Sequence, residues 1–286
     1  MLACEFQVTV DCEQLLARLD RMAKHVPRRE PASDAHAFAV RRRHTLEALR
    51  EPDGGYRFRE SGHESEVHAD PRSAAEAIFR RMLDLSLAVL PEFIKIHAGC
   101  ASRDGVRLLA IGPTRAGKST LMTRLLYEGF AVHCDDVVLL RGEEVFPYPR
   151  RFSIRPPTVG LIPQLAPFAA SLDSDEGSGD IAFDPSDLGF EWSVAPGPVD
   201  AVFFLQPDTE GSTRLETCPK YAMAARVMAQ SNLPIGGPGP WASDICTMLD
   251  RADCYVLYWR DLETSVAAVK DALLRCRRFD ARIARR

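Results

Sequence analysis

A short run of glycine, lysine and hydroxyl residues carries the strongest chemical signal in the sequence. Residues 112–119 read GPTRAGKS and fit the pattern G-x-x-x-x-G-K-[ST]. Glycines let successive backbone N–H groups point at phosphate oxygens, and the N-terminus of a following helix adds partial positive charge. Lys118 supplies a cation for the β- and γ-phosphates, and Ser119 supplies a hydroxyl for Mg²⁺. The pattern predicts a nucleoside triphosphate site; a tight turn that binds nothing is the alternative.

Every residue of this loop and of the first helical position after it is a predicted nucleotide contact. These residues are Gly112, Pro113, Thr114, Arg115, Ala116, Gly117, Lys118, Ser119 and Thr120.

Two adjacent carboxylates form the second candidate group. Asp135 and Asp136 follow the apolar run FAVHC, where the next strand is expected to end near the phosphate loop. One carboxylate can hold Mg²⁺ and the other can accept a proton from an attacking hydroxyl. A solvated Asp-Asp turn is the alternative interpretation of this pair.

Basic side chains near these acids are further candidates. His97, placed at the end of the preceding short strand, can hydrogen-bond a carboxylate or a phosphate, or can be structural. Arg150, Arg151 and Arg155 follow a proline-rich turn, and guanidinium groups suit developing phosphoryl charge. A surface role is an equally good interpretation of each arginine.

Alternating apolar strands and helices position these groups. VRLLAI at 106–111 predicts a buried strand before the loop, and a helix is expected from 119 to 128. The sequence predicts a mixed α/β core over 69–286, in which Asp70-Pro71 begins the first helix. Residues 1–68 predict a small α+β N-terminal unit, with a hairpin turn at 52–55. Segments 147–157, 171–180 and 233–241 are candidate substrate loops.

Composition narrows the class of partner. The chain has 286 residues, 46% of them hydrophobic, and a net charge of −4, so it lacks the basic field of a nucleic-acid-binding protein. No run of about 18 apolar residues predicts a membrane span, and the N-terminus has no signal-peptide pattern. The eight cysteines form no CxxC pair. We expect a cytoplasmic protein with reduced, mostly buried thiols and no membrane or nucleic-acid partner.

Several of these motifs together resemble one known family. His97-Ala98-Gly99, the strand 106–111, GPTRAGKST and FAVHCDDVVLL are similar to the catalytic domain of HPr kinase/phosphorylase and its relatives. The resemblance covers roughly 92–156. It implies a phosphate-loop fold akin to that of phosphoenolpyruvate carboxykinase, ATP and Mg²⁺ as cofactors, and transfer of phosphate to serine.

The resemblance also implies roles for individual residues. Lys118 and Ser119 would bind phosphates and metal, the Asp135-Asp136 pair would supply the proton acceptor and the metal contact, and His97 would lie beside the pair. We expect the metal contact at Asp135 and take Asp136 as the first candidate for the base, with Asp135 as the alternative. Oligomeric assembly is common in the family, so a homo-oligomer is a further implication.

Two departures limit how far the resemblance extends. The chain lacks the glycine- and isoleucine-rich signature that HPr kinases carry after the aspartates, and its N-terminal unit does not match their regulatory domain. HPr itself and the reverse phosphorylase reaction are therefore not implied. Some relatives are similar to kinases that tailor ribosomally made peptides.

The leading hypothesis is a phosphotransferase that moves the γ-phosphoryl group of ATP to a hydroxyl, a serine of a peptide or small protein. A small-molecule kinase on the same core is the second hypothesis. The third is a nucleotide-binding regulatory or peptide-binding module without turnover.

Overall fold

Residues up to Pro91 and residues from Glu92 onward form separate units in the computed structural model. The structure describes residues 4–22, 42–60, 63–90, 92–169, 172–174, 179–232 and 240–283. Both units contain helices and sheets, so the predicted mixed α/β character is confirmed. No helix in these described ranges is long and apolar enough to cross a membrane.

The first unit is a four-stranded sheet with two helices. Its strands, in the order β1-β2-β3-β4, are β1 (Cys4–Val10), β2 (Arg42–Arg50), β3 (Tyr56–Glu60) and β4 (His63–His68). Helices α1 (Glu13–Met22) and α2 (Pro71–Ala88) supply apolar side chains to the same core as the sheet. Strands β2 and β3 pair antiparallel across the turn at 52–55, so the predicted hairpin is confirmed.

Helix α2 begins where the sequence predicts it. The side chain of Asp70 accepts hydrogen bonds from the backbone N–H groups of Arg72 and Ser73, and Pro71 occupies the first helical position. The helix buries Ile78 in the core of the first unit. Because α2 packs there, the two units divide between 91 and 92 rather than between the predicted 68 and 69.

A ten-stranded sheet forms the centre of the second unit. Its main path runs β13-β9-β8-β5-β6-β14-β17-β15, and strands β7 and β16 also pair with β5. The strands of this sheet are β5 (Ile94–Arg103), β6 (Val106–Ile111), β7 (Ala131–Cys134), β8 (Val137–Arg141), β9 (Glu144–Pro147), β13 (Gly197–Pro198), β14 (Ala201–Pro207), β15 (Arg214–Thr217), β16 (Ser231–Asn232) and β17 (Asp253–Trp259). A separate small sheet has the order β10-β12-β11 and consists of β10 (Phe152–Ile154), β11 (Asp173–Ser174) and β12 (Ile181–Phe183).

Helices cover both faces of the large sheet because its central strands are apolar on both sides. Alternate residues of β14 enter different cores: Phe203 packs with one cluster and Val202 with the other. The first cluster contains helices α3 (Lys118–Tyr127) and α7 (Leu262–Ile283), and the second contains α5 (Lys220–Ala229) and α6 (Pro240–Arg251). The result is a three-layer α/β unit with the sheet in the middle.

Two sequence expectations need correction. His97 lies inside β5 and not at its end, because the strand continues through Arg103 and pairs with β6 and β7. The segment 147–157, predicted as a loop, contains β10 and the start of helix α4 (Pro156–Leu161), and a 3₁₀ turn at Pro163–Leu165 follows. Residues 171 and 175–178 of the segment 171–180, and residues 233–239 of the segment 233–241, lie outside the described residues.

The eight cysteines all lie in described ranges and form no disulfide there, and six of them are buried. This confirms the expectation of mostly buried cysteines.

Candidate active site

The carboxyl ends of several strands meet at one edge of the large sheet. Strands β6, β14 and β17 are parallel, and β7 runs in the same direction because both β6 and β7 pair antiparallel with β5. The glycine-rich loop leaves β6 at this edge, and the two aspartates follow β7 there. Ligand sites of open α/β sheets form at such carboxyl ends. The topology therefore brings the two main predicted groups to the same edge.

The glycine-rich loop lies close to its neighbours at both ends. A Cβ atom on Gly112 would stand 2.8 Å from the carbonyl oxygen of Leu205, and one on Gly117 would stand 2.6 Å from the ring of Trp259. Gly117 also has a φ of 91°, in the left-handed region. Between these glycines, Arg115 adopts a φ of 69°, which costs a residue with a side chain about 1–3 kcal/mol. Tertiary contacts thus hold this loop in its curled shape.

The side chain of Lys118 lies inside the loop. Its Nζ donates to the carbonyl oxygens of Gly112 at 2.7 Å and of Pro113 at 3.1 Å, and the residue is 6% exposed. Burial lowers the pKa of the Lys118 ammonium, and the negative charges of Asp136 and Asp135 oppose that effect. The ammonium therefore lies within the electrostatic field of both aspartates.

The remaining predicted loop residues differ in exposure. Pro113, Thr114 and Arg115 are exposed, and Ala116 is buried. The Thr120 hydroxyl lies 3.2 Å from that of Thr158 and so ties helix α3 to α4.

Asp135 is a buried carboxyl group with one unused oxygen. It is 3% exposed, and its Oδ1 has no hydrogen-bond partner among the described residues. Burial and the neighbouring charge of Asp136 raise the pKa of Asp135 to about 7, against hydrogen bonds from the Ser119 side chain and the Ser153 N–H. A buried oxygen without a hydrogen-bond partner, beside a hydroxyl, suits a cation, since a cation would satisfy the oxygen and lower the pKa of Asp135.

Asp136 is held between two basic side chains. Its Oδ1 lies 2.8 Å from Nδ1 of His97, and its Oδ2 accepts from the guanidinium of Arg150. Burial would raise the pKa of Asp136, but the His97 hydrogen bond and the Arg150 charge outweigh it and lower the pKa to about 2. Nδ1 of His97 also lies 3.0 Å from the Asp136 carbonyl oxygen, so two acceptors face this nitrogen and it carries the proton. Asp136 is thus ionised and oriented.

A short turn directs Arg150 toward Asp136. The Tyr148 N–H donates to the Val137 carbonyl, and the Arg150 N–H donates to the Tyr148 carbonyl at 2.8 Å. Pro149 lies inside this tight turn and restricts its backbone. The sequence did not separate Arg150 from its neighbours. The structure pairs Arg151 instead with Asp187, away from the aspartate pair.

Trp259 is the residue of this edge that sequence reasoning missed. It ends β17, and its indole Nε1 donates to the Ala116 carbonyl oxygen at 2.7 Å. The only sequence signal was its position at the end of the last apolar strand, which does not reveal a contact 143 residues away along the chain.

The protein ligands for a metal are few at this edge. Across the described ranges, no group of three or more His, Cys, Asp or Glu side chains could hold a metal ion. Mg²⁺ bound with a nucleotide commonly takes one or two protein ligands and completes its shell with phosphates and water. The free Oδ1 of Asp135 and the hydroxyl of Ser119 fit that pattern.

Comparison with known proteins finds matches among solved structures. No protein-family model matches the sequence, and no curated protein matches it. The chain is similar to the HPr(Ser) kinase/phosphatase from Coxiella burnetii, with 17% sequence identity and a TM-score of 0.35. This similarity covers 66% of the present chain and 98% of the other chain.

Proposed function

We propose that the second unit is an ATP- and Mg²⁺-dependent kinase that phosphorylates a hydroxyl group, a serine of a peptide or small protein. One observation carries the proposal: the buried Lys118 ammonium, the free oxygen of Asp135 and the ionised Asp136 share one sheet edge. A cation inside a loop rich in N–H donors suits a polyphosphate, and the two carboxylates have different electrostatic environments. Groups whose environments separate their pKa values suit separate chemical roles.

The nucleotide side of the site would be formed by the loop and by Asp135. Backbone N–H groups of 112–119 and the N-terminus of α3 would hold the phosphates, and Lys118 would turn from its two carbonyl acceptors toward them. Ser119 and Asp135 would hold Mg²⁺, which supplies charge neutralisation on the phosphates when bound. Binding would ionise Asp135, because the positive charge at its free oxygen would favour the carboxylate and offset the effects of burial and of Asp136 that raise its pKa.

The acceptor side would be formed by Asp136 and its two partners. As the acceptor oxygen forms its bond to the γ-phosphorus, the bond from that phosphorus to the β–γ bridging oxygen breaks, and ADP leaves. Asp136 would take the hydroxyl proton. A carboxylate with a pKa of about 2 is a weak base, so its main contribution is to orient the hydroxyl. His97 would keep Asp136 in place, and Arg150, which is paired with Asp136, would meet charge on the transferred group.

A transfer assay tests this proposal. The full chain is incubated with ATP and Mg²⁺ and with peptides encoded beside its gene, and the products are examined for the mass gain of one phosphate group. We expect Asp136→Asn to lower kcat with little change in nucleotide affinity. Asp104→Asn is a matched control, since Asp104 lies in the β5–β6 turn, at the other end of β6 from the loop.

The outcomes separate three functions. Phosphate on a serine of a peptide supports the proposal, and phosphate on a metabolite instead supports a small-molecule kinase. Nucleotide binding with no transfer to any acceptor identifies a binding module. If Asp136→Asn retained the full rate, the proton-acceptor role would pass to Asp135 as the next residue to test.

A further inference from the structure

We propose that Trp259 is a positioning residue that sets the phosphate loop for polyphosphate binding. The inference rests on the proposed function, because it assigns a role in the same site. Trp259 would act through the peptide unit between Ala116 and Gly117 and would not touch the nucleotide itself. Two independent contacts support this role: a hydrogen bond from the indole and a close approach of its ring.

The hydrogen bond determines how that peptide unit is oriented. Nε1 of Trp259 donates to the Ala116 carbonyl oxygen at 2.7 Å. In a planar trans peptide the C=O and the following N–H point in opposite directions. With the carbonyl held toward the indole, the N–H of Gly117 points in the opposite direction, away from that hydrogen bond. This N–H is one of the donors that the loop would offer to phosphate oxygens.

The ring contact explains why residue 117 has no side chain. A Cβ on Gly117 would lie 2.6 Å from Cζ2 of Trp259 and 3.0 Å from Cε2. The ring therefore occupies the volume that a side chain would need. Gly117 also precedes the first residue of α3 with no side-chain cap, so its backbone conformation sets the direction of the free helix N-terminus.

The sheet keeps Trp259 fixed while it makes these contacts. Trp259 is the last residue of β17, in register with Pro207 of β14, and its carbonyl accepts from the Asp208 N–H at 2.9 Å. The chain immediately after it is also held, since the N–H groups of Arg260 and Asp261 both donate to the Thr213 hydroxyl. The indole is thus attached to a rigid strand end, and the loop is shaped against it.

The test compares two Trp→Phe variants of the full chain. Trp259→Phe deletes the N–H donor and keeps an aromatic ring. Trp192→Phe is the matched control, because the Trp192 indole also donates to a backbone carbonyl, that of His133 at 3.2 Å. Affinity for MgADP is measured by calorimetry. We expect Trp259→Phe to weaken binding about tenfold, the effect of losing one hydrogen bond that orients a donor. The control should stay within about twofold of wild type, a change that lies inside ordinary mutational scatter.

Two further readouts separate positioning from general damage to the fold. In the transfer assay, Trp259→Phe should raise KM for ATP and leave KM for the acceptor unchanged. In the variant Trp192→Phe/Trp241→Phe, Trp259 is the sole tryptophan, and MgADP should shift its emission. This second variant retains the proposed contact and decides the question even if Trp259→Phe fails to fold.

Each result has a definite meaning. If wild type and Trp259→Phe bind MgADP with equal affinity, the positioning role is overturned and the kinase proposal stands. Unchanged emission from the sole Trp259 under saturating MgADP leads to the same conclusion. Failure of the wild-type chain to bind MgADP or MgATP overturns both proposals. Weaker binding in Trp259→Phe alone, with the emission shift, supports the inference.

Discussion

Removal of the Asp135 carboxylate should stabilise the protein while it destroys the proposed site. In the folded chain, burial and the charge of Asp136 raise the pKa of Asp135 from 3.8 to about 7. The folded state therefore binds this proton more tightly than the unfolded state. Stability is greatest below the unfolded pKa of about 4, falls as the pH rises toward about 7, and is constant above that. Asp135→Asn lacks this titration, so its advantage over wild type should grow across the same window.

The size of the effect follows from the two pKa values. One pH unit of difference corresponds to about 1.36 kcal/mol, so a pKa of about 7 against 3.8 sets an upper limit of about 4 kcal/mol. Local relaxation and water entry reduce such penalties. We expect Asp135→Asn to raise the free energy of unfolding by about 2–4 kcal/mol at pH 8, and by close to zero at pH 4.

Tryptophan fluorescence in urea is a suitable assay for this prediction. All three tryptophans, Trp192, Trp241 and Trp259, lie in the second unit, so their emission follows the unfolding of the unit that contains Asp135. The free energy of unfolding is measured for both proteins at several pH values between 4 and 8. The difference between the proteins is the quantity of interest, because it cancels the titration of groups that do not interact with Asp135.

The neighbouring aspartate is a control of opposite sign. The pKa of Asp136 is lowered to about 2, so its carboxylate contributes stability above the unfolded pKa and loses it as the pH falls toward 2. Asp136→Asn should cost about 2 kcal/mol at pH 7. Asp136→Asn also removes a charge that raises the pKa of Asp135, and the easier ionisation of Asp135 offsets part of that cost. A stability difference for Asp135→Asn that is the same at every pH would refute the reasoning.

Three further substitutions have expected outcomes. Lys118→Met removes the buried ammonium that the loop holds. It should weaken MgATP binding, measured by calorimetry, by about tenfold or more, since hydrogen bonds to charged groups contribute about 1.5–3 kcal/mol. Unchanged affinity would contradict the proposed role of Lys118. Gly99→Ala would place a Cβ 2.6 Å from Cγ of Met122, so the second unit should lose about 1–3 kcal/mol of stability in urea followed by tryptophan fluorescence. Unchanged stability would contradict this and would show that the Met122 side chain repacks around the added methyl group. Asp70→Ala deletes the cap that accepts hydrogen bonds from two backbone N–H groups of α2. It should lower the free energy of unfolding of the first unit by about 1 kcal/mol, measured by circular dichroism because that unit has no tryptophan. No change would show that the cap is not stabilising.

Local patterns in the sequence were sufficient for the elements that depend on neighbouring residues. Asp70 and Pro71 begin α2 as predicted, and the turn at 52–55 forms the hairpin. The segment from β6 through Gly117 into α3 is likewise continuous in the chain. Caps, turns and the strand–loop–helix unit use hydrogen bonds between residues close in sequence, so composition and spacing are enough to predict them.

The site itself was only partly predictable. The sequence singled out Lys118, Asp135, Asp136 and His97, and the proposed roles of these residues remain predictions. It could not say which aspartate is buried with a free oxygen, because that depends on how β7, β8 and the proline-rich turn pack. It placed His97 at a strand end, since the length of β5 is determined by pairing with β6 and β7.

The sequence by itself determined that a curled, glycine-rich loop with one lysine connects a buried strand to a helix, and that two carboxylates follow the next strand. Tertiary structure decided that Arg150 and His97 hold Asp136, that Asp135 is buried with an unused oxygen, and that Trp259 holds the loop. The physical reason is distance along the chain. Hydrogen bonds and burial between remote segments follow from the order of strands in a sheet, and that order is a property of the whole packed unit.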